Sequence, residues 1–191
     1  HLLFLEATDP LLLILLDPVH LLPNGALLAL VLAHFFLLLR LRKVFIDALA
    51  RKADIDPIEY RLSLLGNNPR ETAVLKLAAE KAGWGTRELP EGWGRGVAVH
   101  TSFGSTVAEI AEVSVQGNNF KVERVVAVID CGIAVNPGVI RAQVEGAIAY
   151  GLSAALQDEL TLTDGVVDQS NFHNYQVLRM NAMPIVETHI L

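Results

Sequence analysis

The chain has 191 residues, a net charge of −6 at pH 7 and a single cysteine. A surplus of carboxylates offers no basic face to a phosphate backbone, which excludes nucleic acid as an expected partner. Cys131 alone permits neither an internal disulfide nor a CxxC zinc or iron–sulfur site within the chain, and the length suits one domain of ordinary size.

Apolar residues make up 52% of the chain, but the excess sits at the front, where 18 of the first 43 residues are leucine. The stretch Ala26–Leu39 is apolar except for His34, yet it falls short of the ~18–20 residues that a membrane-crossing helix needs. A buried or interfacial helix is therefore favoured over a span. Arg40, Arg42 and Lys43 follow the apolar run, whereas a cleaved secretory signal carries its charges before it. Residues 1–43 are set apart as a Leu-rich segment with no assigned fold.

From Val44 onward the local rules agree with one another. In "VFIDALARKA", Phe45, Ile46 and Leu49 fall on one helical side, away from Asp47, Arg51 and Lys52. Asp56 then caps a helix opened by Pro57, with Glu59 at the capping-box position and Gly66 as the stop. The pattern recurs: Asn68 caps, Pro69 opens, Glu71 is expected to reach back, and Gly83 ends the helix. The glycine-rich "GWGTRELPEGWGRG" reads as a surface connection; a phosphate loop would need a helix after it, and a strand pattern follows instead. Residues 44–95 thus form a helical segment with its connection.

Strand patterns fill the remainder, residues 96–191. "VAVHTSF" is one. "TVAEIAEVSV" alternates, with Ala111, Val113 and Val115 expected to pack and Glu112 and Ser114 to oppose them, and "NFKVERVVAVID" is joined to it through "QGNN". A helix follows from about Gly138 to Leu156. Asp164-Gly165 then signals a second hairpin, and "MPIVETHIL" a last strand. Strands and helices mix without regular alternation, so the expected fold class is α+β, a mixed sheet with packed helices.

The six histidines show no spacing that places two imidazoles on one metal, and there is no GxSxG or HExxH. Asp130 beside Cys131 disfavours a nucleophilic thiolate. The helix after the Asn136-Pro137-Gly138 turn is more informative. Ile140, Val144, Ile148 and Ala155 make one packing stripe, while Gly146, Ala147, Gly151 and Ala154 keep the helix thin. Glycine inside a helix costs ~1 kcal/mol relative to alanine, so two of them argue that a backbone or a flat ligand comes close. Gln143 presents a donor and an acceptor on one amide, which would suit a pterin or amide edge, or else close a hydrogen bond with a neighbouring strand. Spacing alone leaves both open.

"VVAVIDCGIAVNPGVIRAQVEGAIAYGLSAAL" followed by "DELTLTDGVVDQSNFHNYQVLRMNAMPIVETHI" resembles the molybdenum-binding subunit of the xanthine dehydrogenase and aldehyde oxidase family, in particular the isoquinoline 1-oxidoreductase β-subunit and bacterial membrane-associated aldehyde dehydrogenases. The resemblance spans Val44–Leu191. It implies part of a molybdenum hydroxylase that oxidises an aldehyde or nitrogen heterocycle with water-derived oxygen. The expected cofactor is molybdopterin cytosine dinucleotide with molybdenum, which takes no protein side chain as metal ligand. By the resemblance Gln143 lies near the pterin, and Asn136 and Gly146 join it as cofactor-binding candidates. No catalytic residue is expected in this chain: the family's general-base glutamate belongs to a GVGEP-like motif beyond Leu191, and the glycine-rich loops on the other side of the pterin lie upstream. The chain is therefore expected to be a C-terminal fragment. Expected partners are the remainder of the molybdenum subunit, an iron–sulfur subunit, a cytochrome c subunit as a further candidate, and a small-molecule substrate. The resemblance also points to a bacterial protein, periplasmic or membrane-associated rather than cytoplasmic. The alternative reading is a non-catalytic membrane-associated or assembly domain that keeps the fold without the chemistry.

Overall fold

Residues 43–191 are described by the structure, a computed structural model; the Leu-rich stretch before them lies outside the described residues. Residues 43–52 are helical (α1). Ala50 is buried there, whereas Phe45, expected on the apolar side with Ile46 and Leu49, is 62% exposed. The chain divides into two compact units, residues 1–54 and 55–191.

In the second unit two capped helices come first. Asp56 Oδ1 accepts from the N–H groups of Ile58 at 2.8 Å and Glu59 at 3.2 Å, which starts α2 (Pro57–Leu65). Its Oδ2 accepts from the Trp84 indole N–H at 2.8 Å. Asn68 caps α3 (Pro69–Ala82) by accepting from Glu71 N–H at 3.2 Å. Gly83 closes that helix at φ +65°, a left-handed conformation suited to glycine. Glu71 departs from the expected capping box. Its carboxylate accepts from Thr101 Oγ1 at 2.7 Å, while the Asn68 N–H donates to the Leu65 carbonyl. A tertiary partner has displaced the local one.

Four strands make a mixed sheet in the order β1-β2-β3-β6: β1 (Trp93–Ser102), β2 (Ser105–Gln116), β3 (Asn119–Asp130) and β6 (Ile185–Ile190). The first three are antiparallel, and β6 runs parallel to β3. A parallel return needs a crossover. It is supplied by α4 (Pro137–Leu156) and the small hairpin of β4 (Leu162–Thr163) and β5 (Val166–Val167). The fold is α+β, as the sequence implies.

Both faces of the sheet are covered. On one, Val74, Leu75 and Ala78 of α3 pack with Ile58 of α2 against Val97, Val99, Ala108, Ile110, Val126 and Val128. On the other, Val144 and Ile148 of α4 pack against Val122, Val125 and Ala127. Hence β3 is buried without interruption from Val125 to Val128, as expected of a strand enclosed on both sides. From residue 55 onward the chain is one compact unit in which α2 and α3 cover one face of the sheet.

Three sequence expectations change in the tertiary structure. Strand β1 begins at Trp93, inside the expected connection, because Gly94 and Gly96 pair with Val113 and Ala111. Arg95 stacks on Trp84 at 5.1 Å and donates to the carbonyls of Gly83 and Arg87, fixing this start. Glu112 and Ser114, expected to oppose the packing face, are buried, and it is the Ala111 and Val113 side that is partly covered. On α4 the packing stripe runs through Ile140, Val144, Ile148 and Leu152, and Ala155 is exposed. A hairpin the sequence did not announce joins β1 to β2, with Phe103 at φ +48° and Gly104 at φ +79°.

Glu112 tolerates burial because two arginines meet it. Arg87 donates to its Oε1, and Arg124 Nη1 lies 3.3 Å from the same oxygen. Arg124 also grips Glu187 of β6 through Nε at 2.7 Å and Nη2 at 3.1 Å, and bonds the Lys81 carbonyl near the end of α3. The Arg124 hydrogen bonds hold the Glu187 carboxyl below its ordinary range. Removing one partner of a fully buried pair costs about 3–5 kcal/mol. Because Arg87 is partly in water and Arg124 keeps Glu187, Glu112→Ala is expected to destabilise by about 2–3 kcal/mol. Urea unfolding of the complete subunit would measure this, and an unchanged midpoint would refute it.

Candidate functional site

The turn that leads into α4 is fixed at its two ends. At the first, Asp130 Oδ2 accepts from Arg70 Nε at 2.6 Å, its carbonyl accepts from Arg70 Nη2 at 2.9 Å, and its Oδ1 accepts from Gly132 N–H at 3.0 Å. The Arg70 hydrogen bond, then that of Gly132, lowers the Asp130 pKa from 3.8 to about 2. At the second, Asn136 Oδ1 accepts from Val139 N–H at 3.2 Å and caps α4. Between them Ile133 and Val135 stand 90% and 89% exposed. The first turn of α4 is the positive end of a 20-residue helix; Pro137 has no N–H, those of Val139 and Ile140 are taken by Asn136, and that of Gly138 is left without a partner among the described residues.

Farther along, one flank of α4 borders a cleft of about 690 Å³, with Glu145, Gly146 and Ala149 on the helix side and Arg179, Met180 and Val186 opposite. Ser153 holds the opposite wall in place: its buried hydroxyl accepts from Leu178 N–H at 2.9 Å. A Cβ added at Gly146 or Gly151 would meet nothing within 4 Å beyond its own helix. The close approach that two helical glycines suggest is therefore not made by any other part of the described chain, and the flank lies open.

The three candidate residues sit on or beside α4 but do not converge. Gly146 lines the cleft, and Gln143 and Asn136 do not. Gln143 is exposed one turn before Gly146, and its amide has no hydrogen-bond partner among the described residues, a neighbouring strand included. Asn136 lies ten residues before Gly146, about 15 Å along the helix axis; its Oδ1 is committed to the cap. Among the described residues no group of three or more His, Cys, Asp or Glu side chains is placed to hold a metal ion. Cys131 is partly buried just past the end of β3.

Sequence reasoning missed Arg70. Its only local signal is its place after the Asn68-Pro69 helix start, and its partners lie 34 and 60 residues away. It also missed Glu109, whose carboxyl is pushed up by burial. Glu109 faces the α4 side of the sheet between Ala98 and Ala127, whose methyl side chains have no group to hydrogen-bond it.

An exposed, glycine-notched helix thus runs from a capped turn past an open cleft. Residues 66–184 match the molybdopterin cofactor-binding domain family, and the chain belongs to that family. It is 35% identical over 150 residues to the β-subunit of isoquinoline 1-oxidoreductase from Brevundimonas diminuta, covering 76% of this chain and 19% of that one. It is 31% identical over 165 residues to a nicotinate dehydrogenase subunit of Pseudomonas putida, covering 77% and 14%. With the membrane-bound aldehyde dehydrogenase of Gluconacetobacter polyoxogenes the identity is 27% over 167 residues, covering 77% and 22%. The chain thus spans about a fifth or less of the length of these relatives. Among solved structures, quinoline 2-oxidoreductase from Pseudomonas putida 86 matches at 25% identity with a TM-score of 0.40, over 46% of this chain and 11% of that one. The family match agrees with the resemblance seen in the sequence.

The lowered Asp130 pKa has a directional consequence. A carboxyl depressed in the fold stabilises it fully above the unfolded value, near 3.8, and loses that contribution as pH falls toward about 2. The stability gap between wild type and Asp130→Asn in the complete subunit is expected to be constant above about pH 4 and to close toward pH 2. Urea midpoints across that range test it, and a gap that persists undiminished at pH 2 contradicts it.

Proposed function

We propose that this chain is part of a molybdenum hydroxylase subunit and that α4 forms one wall of its cofactor site. The observation that carries the reading is the open flank of α4, where Gly146 leaves the cleft wall flat and the nearby Gln143 amide has no partner within the described residues. When bound, the molybdopterin group, proposed as its cytosine dinucleotide form, supplies the molybdenum centre at which water-derived oxygen is added to substrate.

The residues of this chain bind and orient. Gln143 can donate to and accept from a heterocycle edge through one amide. The positive end of α4, with the Gly138 N–H as its remaining donor, favours carbonyl or anionic groups. Asn136 keeps that end in register by holding the cap, and its Nδ2 remains available as a donor. The spread of the three residues along the helix suits an elongated ligand rather than a compact one. A glutamate from outside these residues would serve as general base, consistent with the small share of its relatives that the chain spans. The names of those relatives support an aldehyde or a nitrogen heterocycle as substrate. The proposed partners are the rest of the molybdenum subunit, an iron–sulfur subunit and a cytochrome c subunit, in a periplasmic or membrane-associated assembly.

The test uses the complete subunit purified with its partners. Wild type is expected to carry molybdenum and pterin in near-stoichiometric amounts, and Gln143→Leu to retain at least several-fold less after gel filtration, with an unchanged melting temperature. Background molybdenum in an intact wild-type assembly would overturn the proposal in favour of a non-catalytic assembly domain. Undiminished retention by Gln143→Leu would remove that amide from the site.

A further inference from the structure

Arg70 joins three segments that are far apart in sequence. It projects from the first turn of α3. Two of its donors go to Asp130 at the end of β3, and its Nη1 donates to the Gly104 carbonyl in the β1–β2 hairpin turn at 3.0 Å. A guanidinium is a rigid planar fork, so three bonds from one plane fix relative orientation as well as distance, which a lysine ammonium could not do.

What this clamp holds has little else to hold it. Between Asp130 and Asn136 the turn contains a backbone bond from Val135 N–H to the Ile133 carbonyl at 3.0 Å, and both of those side chains project away from the chain. The direction in which the chain leaves β3 is therefore set by the Asp130 carboxylate, which ties Gly132 on one oxygen and Arg70 on the other. The hairpin turn is fixed by the same guanidinium. Phe103 there keeps a left-handed backbone at φ +48° with its side chain fully exposed, a conformation that favours glycine. Phe103, Ile133 and Val135 are thus three large apolar side chains presented at one end of the sheet, beside the start of α4.

We infer that Arg70 is a positioning residue for the cofactor site: it holds the Cys131–Asn136 turn, and through it the amino-terminal end of α4, in the arrangement that the pterin-bearing group meets. The inference rests on the function proposed above, and Arg70 itself touches no proposed ligand.

The experiment compares Arg70→Met, Arg70→Lys and Arg87→Met in the complete subunit with its partners. Arg87 serves as the control because it also pairs with a carboxylate, yet Glu112 lies six residues along β2 from Thr106, the strand partner of Asp130, which is about 20 Å. Two quantities are read: molybdenum and pterin retained after gel filtration, and hydrogen exchange of peptides covering residues 131–142. Arg70→Met is expected to retain less than a tenth of the wild-type cofactor and to exchange at least ten-fold faster across the turn, with Arg70→Lys between it and wild type. Arg87→Met is expected to melt lower but to keep its cofactor and its exchange rates in this segment. Should Arg70→Met fail to fold, Asp130→Asn carries the same comparison, since it weakens the clamp while the main-chain bond remains. Wild-type retention and exchange in the Arg70 or Asp130 variant would overturn the inference, as would equal cofactor loss in Arg87→Met. Absence of molybdenum from wild type would instead sink the proposed function.

Discussion

Enclosure of β3 on both faces is the constraint from which the rest of this unit follows. A strand carrying Val125, Val126, Ala127 and Val128 in succession has no polar side to give to water. Helices must therefore cover each face. The capped pair α2 and α3 covers one face, and α4 covers the other. Because β6 returns parallel to β3, the covering helix on the second face is also the crossover. Any ligand-facing flank of α4 is thus carried on an element whose opposite flank is anchored in the core.

Polar groups then set the details that packing leaves undetermined. At one end of the sheet Glu112, Arg87, Arg124 and Glu187 join β2, β3 and β6 to the end of α3. Toward the other end Arg70 and Asp130 join the start of α3 to the end of β3 and the β1–β2 turn. Hydrophobic contact is non-directional, whereas charge-assisted hydrogen bonds fix orientation. It is this second kind of contact that aims the turn before α4. The open side of α4, with two glycines that nothing in the described chain approaches, is consistent with a surface shaped for something bound against it.

Local grammar was legible in advance. The caps at Asp56 and Asn68, the stop at Gly83 and the hairpin turn at Asp164-Gly165 were readable because each depends on neighbours within a few residues. The candidate helix was readable too, from Gly146 and Gly151 among small residues and from the resemblance of its motif. Glu71 shows where that grammar stops: its capping-box position was correctly placed, but Thr101, thirty residues on, took its carboxylate. The β1–β2 turn was hidden because Phe103 is not a residue that announces a left-handed turn.

By itself the sequence determined the element types, the family, and which helix carries the candidate residues, since these reside in periodicity, caps and contiguous motifs. The tertiary structure alone decided which side of β2 is buried, where β1 begins, that Glu112 has arginines to meet it, and that Arg70 reaches Asp130 and Gly104. Each of those depends on which distant segments are brought together, and a pattern of neighbours along the chain contains no record of partners 30 to 60 residues away.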